Sequence, residues 1–274
     1  MRTNPPCPSG RAWRQLLSRS HFRKIRRDIP KQILNRRRWL LREWLKPVVV
    51  MPLTANSVTG AKYYLSSDPL DGLILSDFLQ TYEPLFFPPE IEQLLPEDTL
   101  GLDLGAHHGA YAVTTLTRYP KLRLISVEPD PAGFEILAAN IALNTLQDRC
   151  ECVGAALTDT DGEFLLEESE EGSWGNIVVP ARRERPTVRI RGMTLTTLLR
   201  GRKIDFLKSN CEGREYSLIP QMLARNSLPK VLILLLHPRN GEETRLLGLL
   251  HGAGYAIRPT CTSENHPRYV CVRK

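Results

Sequence analysis

From residue 99 onward, apolar and polar positions alternate between two periods. Short apolar runs at 99–104, 122–127, 151–155, 204–209 and 231–236 have the length of strands. Between them, 110–119, 133–143, 193–199, 214–223 and 242–251 have the length and mixed polarity of helices. The polar stretch containing Asp161-Gly162 and 172–175 reads as a hairpin or loop, and 187–191 as a short strand. The end of the chain, 255–259 with 268–272, reads as an antiparallel hairpin. Run 231–236 is apolar at every position, as suits a strand covered on both faces. Strands alternating with helices predict an α/β fold, a doubly wound, Rossmann-like, mostly parallel sheet with right-handed crossovers. The C-terminal hairpin adds an antiparallel edge.

Upstream the pattern changes. Two basic segments, 11–27 and 31–46, are separated by Asp28-Ile29-Pro30, and Ile33, Leu34, Trp39, Leu40, Leu41, Trp44 and Leu45 have spacings compatible with an apolar helical stripe. Residues 1–47 hold 14 Lys+Arg against 2 Asp+Glu, a net of +12. The other residues hold 23 basic and 28 acidic groups, a net of −5, which completes the overall +7. The basic character therefore belongs to the arm and not to the body, and nucleic acid is not the expected partner. Three segments follow: a basic helical arm at 1–47, a connecting segment at 48–98, and the α/β domain at 99–274. A basic helix bearing Trp and Leu can dock on its own domain or lie in an anionic membrane interface, so peripheral membrane contact through residues 11–46 is carried forward. No run of eighteen apolar residues occurs, and no short apolar leader precedes a small-residue cleavage site. A cytoplasmic location is expected, with the arm at the inner face of the membrane. Six cysteines are scattered through the chain, and Cys150 and Cys152 share one face of a strand. Without a second pair they read as reduced, buried thiols, and no metal site is expected.

The chemistry concentrates at strand ends. In Asp103-Leu104-Gly105-Ala106-His107-His108-Gly109 a strand gives way to a tight turn and then a helix. Glycine allows the positive φ of such a turn and lets a ligand approach the backbone. The spacing is G-x-x-x-G, so the dinucleotide fingerprint is not met. Asp103 is expected to point into the crevice at the carboxyl end of its strand. Glu128 closes the next strand, where a carboxylate can accept hydrogen bonds from both hydroxyls of a ribose.

These motifs resemble the FkbM family of S-adenosylmethionine-dependent methyltransferases over about two-thirds of the chain. The family's Asp-x-Gly-Ala-Asn-x-Gly is matched by Asp103 through Gly109, with His107 in place of Asn, and its Glu-Pro by Glu128-Pro129. Ala138-Ala139-Asn140, Asn144, Ala155-Ala156 and Asp161-Gly162 follow in the family's order. Its Lys-x-Asp-x-Glu-Gly is matched by Lys208 through Gly213, with Asn210 in place of Asp. The resemblance implies a class I methyltransferase fold with S-adenosylmethionine as cofactor and a hydroxyl on a sugar, glycan or secondary metabolite as acceptor. It places Gly105, His107 and Gly109 under the methionine part, Asp103 near its amino end, Glu128 at the ribose and Ala156 beside the adenine.

The departures bear on catalysis. Asn210 cannot accept a proton as a carboxylate would, and Leu235 stands where the family often has an acid two residues before His237-Pro238. Glu212, His107, His108 and His237 remain as candidate bases. Lys208 is expected to orient an anionic acceptor or pair with Glu212. Two alternatives stay open: a cofactor-binding member without catalysis, and a nicotinamide-dependent oxidoreductase on a similar sheet.

Overall fold

A computed structural model describes residues 31–45, 52–66, 71–79, 98–169, 172–179, 187–237, 242–261 and 267–273. The basic segment 11–27 lies outside the described residues. The chain divides into two compact units, Met1–Glu83 and Pro84–Lys274, so the described arm helix shares a unit with part of the connecting segment.

In the first unit, helix α1 (Arg36–Leu45) is followed by the antiparallel pair β1 (Leu53–Asn56) and β2 (Lys62–Leu65) and by α2 (Asp71–Asp77). An antiparallel bridge joins Ile33 to Ser57. The predicted apolar stripe splits. Ile33 and Trp39 are buried within the unit, whereas Leu34 and Leu41 face solvent. Arg42 is buried as well, donating to the Ser66 carbonyl and pairing with Glu43.

The second unit is built on a seven-stranded sheet of order β12-β13-β11-β10-β3-β4-β5. Its parallel strands are β3 (Leu100–Leu104), β4 (Arg123–Val127), β5 (Cys150–Val153), β10 (Phe206–Ser209) and β11 (Val231–Leu235). Helices α3 (Ala110–Arg118), α4 (Pro131–Leu143), α5 (Leu195–Leu199), α6 (Glu215–Ala224) and α7 (Glu243–Gly252) intervene. The terminal hairpin β12 (Tyr255–Cys261) and β13 (Arg268–Arg273) closes one edge, β13 antiparallel to β11. This is the α/β architecture read from the alternation. Every residue of β10 and β11 is buried. Leu102, Leu104, Ile125, Leu207, Leu232 and Leu234 pack with Leu218, Met222, Leu246 and Leu250 of the helices in one core.

The stretch read as a hairpin or loop folds further than that. A second sheet of order β6-β9-β7-β8 contains β6 (Ala156–Leu157), β7 (Gly162–Ser169), β8 (Gly172–Val179) and β9 (Thr187–Met193). Asp161 anchors it by accepting the Thr194 N–H at 2.6 Å and the Thr197 hydroxyl at 2.6 Å, at the N-terminus of α5. Such side-chain caps satisfy amides the helix leaves open.

The parallel register leaves little room between β3 and β10. Gly101 lies opposite Phe206, and a Cβ at Gly101 would overlap the buried Phe206 ring. Gly101→Ala is expected to cost about 1–3 kcal/mol of stability through overpacking. Phe206→Leu, mild in its own cost, should recover part of that loss in the double variant. Denaturant melts of the four proteins measure the coupling. Additive losses would show that the ring is not the obstacle.

Candidate active site

At the centre of the sheet a polar row crosses an apolar layer. Lys208 of β10 is in register with Asp103 of β3, Asp103 with Ser126 of β4, and Ser126 with Cys152 of β5. The Lys208 Nζ lies 2.8 Å from Asp103 Oδ1, both side chains being buried. It also donates to the Leu104 carbonyl at 3.2 Å and the Gly105 carbonyl at 2.9 Å, over the Tyr111 ring. Ser126 Oγ donates to Asp103 Oδ2 at 3.4 Å. Two expectations need correction. Asp103 does not open onto the crevice, because Lys208 holds it inside the sheet. Lys208 does not pair with Glu212: its ammonium group forms an ion pair with Asp103 and donates to the Leu104 and Gly105 carbonyls.

Above this row, residues 105–109 form the turn. Gly105, His107 and Gly109 have φ of +69°, +51° and +77°. A Cβ at Gly105 would overlap the Asn210 carbonyl oxygen, and one at Gly109 would come within 2.7 Å of Leu137 Cδ1. His is among the few side chains that tolerate this left-handed region, as Asn is, so His107 replaces Asn without changing the backbone. The Gly105 and Ala106 N–H groups both donate to the Val127 carbonyl, at 3.1 and 3.0 Å. Asn140 fastens the turn from α4 by donating to the His108 carbonyl at 2.8 Å. The His107 and His108 rings stack at 4.0 Å. Burial, with help from His108 and Lys208, pushes the His107 pKa well down and keeps its ring neutral.

Glu128 stands at the end of β4, buried beside this turn. Its Oε2 accepts the His107 N–H at 2.6 Å and its Oε1 the Asp130 N–H at 2.9 Å. Gly133 in α4 makes room: a Cβ there would sit 3.3 Å from Glu128 Cγ. Burial raises the Glu128 pKa to about 7 against the opposing pull of the two N–H groups. Ala156 is buried in β6 of the second sheet.

A third cluster occupies the ends of β10 and β11. Glu215, fully buried in the first turn of α6, was not singled out in the sequence. Its Oε1 accepts the His237 backbone N–H at 3.0 Å and lies 2.8 Å from His237 Nδ1. Its Oε2 accepts the Gly213 N–H at 3.0 Å and the Cys211 thiol at 3.3 Å. On the other side of the ring, His237 Nε2 is 3.4 Å from Glu212 Oε2, on a carboxylate that is 34% exposed. The signal available in the sequence was a second acid three residues after Glu212, at a helix start. Burial lowers the His237 pKa, but the hydrogen bonds to Glu212 and Glu215 outweigh it and bring the value to about 9. A shift in this direction favours the protonated ring, the form that cannot accept a proton. Burial and Glu215 push the Cys211 thiol well up, which leaves it a weak nucleophile. Asn210 donates its N–H to the Leu104 carbonyl at 3.0 Å, while its buried Oδ1 has no hydrogen-bond partner.

The profile of the Methyltransferase FkbM domain matches residues 103–257, which begins at Asp103 and takes in all three clusters. The chain belongs to the FkbM methyltransferase family. A curated relative, Methyltransferase sdnD of Sordaria araneosa, is 26% identical over 72 residues, 26% of this chain and 28% of that protein. The aligned part thus spans little more than a quarter of that relative. Among solved structures, Methyltransferase FkbM from Methylobacillus flagellatus KT superposes with a TM-score of 0.50 at 14% identity, over 72% of this chain and 52% of that one. Precorrin-6y C5,15-methyltransferase from Geobacter metallireducens GS-15 gives 0.43 at 14% identity, over 67% and 85%. At such identities the likeness concerns the fold, which is that of class I methyltransferases. For this FkbM chain the nicotinamide-dependent alternative has lost its footing.

The FkbM cluster at His237 has a measurable signature. A histidine whose folded pKa is raised to about 9 above its ordinary value adds stability that is complete below about pH 6.5. That contribution fades as pH rises through 9. The wild-type advantage in melting temperature over His237→Gln should therefore shrink between pH 6.5 and 9.5. A ring titration by NMR should give a midpoint near 9, and a midpoint near 6.5 would contradict the two-carboxylate clamp.

Proposed function

We propose that the protein is an S-adenosylmethionine-dependent methyltransferase acting on a hydroxyl of a small molecule, sugar or glycan. The observation that supports this best is Glu128, a buried carboxylate at a strand end with one backbone N–H on each oxygen. A carboxylate oxygen can accept more than one hydrogen bond, so each retains capacity for a sugar hydroxyl. The raised pKa marks a carboxylate short of donors, and a pair of hydroxyls would supply them. The positive φ at Gly105 and Gly109 leaves the turn without side chains where a ligand would approach. These residues fit the cofactor. Glu128 would hold the ribose, the turn at 105–109 the methionine part, and Ala156 would border the adenine.

When bound, S-adenosylmethionine supplies a methyl group already activated on a sulfonium. The chain's own task is to align an acceptor oxygen and receive its proton. Glu212 is the group in this reading that takes the proton: it is a partly exposed carboxylate just beyond β10, two residues after Asn210, whose carbonyl lies against the turn. An alcohol oxygen becomes strongly acidic as it is alkylated, so its proton passes readily to a carboxylate within reach. The His237 imidazolium, held by Glu215, orients Glu212 and steadies its charge. Asn210 positions: its unpartnered Oδ1 is a buried acceptor, costly until a donor such as a hydroxyl reaches it. Lys208 acts from below by holding the turn. For partners, we propose the small acceptor at this site and peripheral contact of the basic N-terminal arm with an anionic membrane.

The cofactor reading is tested by calorimetry with S-adenosylhomocysteine. Hydroxyl donors favour the ionised Glu128, so binding should release a proton below its pKa of about 7 and strengthen as pH rises through it. Affinity at pH 8 should exceed that at pH 6 by about tenfold. Glu128→Gln should bind at least about tenfold more weakly at pH 8, with the pH dependence gone. Undiminished affinity in that variant refutes the ribose assignment. Turnover is tested with S-adenosylmethionine and a panel of hydroxyl-bearing metabolites and glycans, scored by mass for gain of one methyl. Glu212→Gln should lower the rate by about 10²–10⁴-fold. Tight cofactor binding with no methylated product from any acceptor favours a member without catalysis.

A further inference from the structure

The first unit carries a surface that its own core does not use. Burial alternates over residues 54–58 and 61–65 of its extended segments. Ile33, Ala55, Ser57, Ala61, Tyr63 and Leu65 are buried, whereas Leu34, Val58 and Lys62 are exposed and Asn56 and Tyr64 half-buried. Side chains on successive residues of a strand point to opposite faces, so these two sets are the inner and outer faces of one small sheet. The antiparallel bridge at Ile33 and Ser57, with Leu34 N–H on the Asn56 carbonyl and Val58 N–H on the Gln32 carbonyl, makes Leu34 and Val58 diagonal neighbours on the outer face. Leu34 is 65% exposed, Val58 58% and, on α1, Leu41 46%. These are three of the four large apolar side chains exposed among the described residues. Lys31, Arg37, Arg38 and Lys62 are exposed beside them in the chain or the sheet.

We infer that this outer face, with Leu34 and Val58 at its centre and Lys31, Arg37, Arg38 and Lys62 around them, docks on an anionic lipid surface. The inference rests on the membrane contact proposed for the arm and moves the contact from the Trp-Leu stripe to the sheet. Trp39 is in the unit's interior and cannot enter a bilayer without unfolding it. Two physical terms combine on the outer face. Aliphatic side chains gain by leaving water for the acyl boundary. Basic side chains near an anionic surface gain about fivefold in affinity each. The net +12 of residues 1–47 supplies the long-range attraction. A nucleic acid would satisfy the charges but leave Leu34 and Val58 in water, and the aliphatic centre therefore selects lipid. No helix among the described residues is long and apolar enough to cross a membrane, so the contact is peripheral.

The test uses the full chain and co-sedimentation with vesicles of phosphatidylcholine, alone or mixed with phosphatidylserine. Wild type should bind only the mixed vesicles, and less as salt rises. Leu34→Ser combined with Val58→Ser should weaken that binding by about tenfold or more, because both aliphatic anchors are lost. Leu249→Ser, which removes the exposed apolar side chain of the other unit, should change nothing. Both residues are on the surface, so circular dichroism and S-adenosylhomocysteine affinity should stay as in wild type. If charge reversal at Arg11, Arg14, Arg19 and Arg23 abolishes vesicle binding while the Leu34/Val58 variant binds normally, the arm reading stands and the assignment of this face is overturned. Failure of wild type to bind mixed vesicles overturns both. Binding to single-stranded RNA in place of vesicles overturns both in favour of a phosphate backbone.

Discussion

The ion pair between Lys208 and Asp103 is the constraint on which the site depends. A charge buried in the middle of a sheet is costly unless it is paired and its remaining hydrogen-bonding capacity is used. Here the ammonium group reaches Asp103 and two turn carbonyls, Leu104 and Gly105, so its position dictates where β3 ends and which way the chain leaves it. The carbonyls bent toward Lys208 fit a backbone in which Gly105 takes a positive φ and lies directly against the Asn210 carbonyl. From that contact the end of β10, and with it Asn210, Cys211 and Glu212, is set beside the turn. Breaking such a pair by removing one partner typically costs about 3–5 kcal/mol, since an uncompensated charge is left inside.

On either side of this pair, burial opposes charge at two groups, with opposite outcomes. At Glu128 the loss of water dominates and holds the carboxyl near pKa 7, so the group is poised to respond to hydroxyl donors. At His237 two carboxylates overcome the loss of water and keep the ring charged. The difference is geometric. Glu128 meets two neutral amides, whereas His237 lies between Glu212 and Glu215. Leu235 occupies the position where an acid was expected from the family pattern, and it is buried in the core. The carboxylates that serve His237 come instead from the β10–α6 connection and from the first turn of α6. Asp159 adds a tie to the same helix, accepting hydrogen bonds from Arg214 at 3.2 Å and Gln221 at 2.8 Å, so the second sheet is fastened close to Glu215.

Much was legible in the chain before any folding was considered. The alternation of short apolar runs with helical segments determined the α/β class, because burial on both faces of a parallel strand demands apolar residues at nearly every position. The turn at 105–109 and the acid closing β4 were legible as well, since positive φ and a strand-end carboxylate leave marks in residue type. Residues 162–179 were less so: their mixture of polar and apolar positions carries no clear period, and the pairing of β7 with β9 joins residues 20 to 30 positions apart. What the sequence could not determine was which charges meet. Lys208 and Asp103 are 105 positions apart in number, His237 and Glu215 are 22 apart, and no local pattern distinguishes a paired carboxylate from an open one. The same holds for Trp39 and Leu34, equal members of a sequence stripe until packing buried one and left the other in solvent. Residue type and spacing act locally and so set the elements. Charge pairing, burial and pKa depend on neighbours brought together only by the fold, and those the tertiary structure decided.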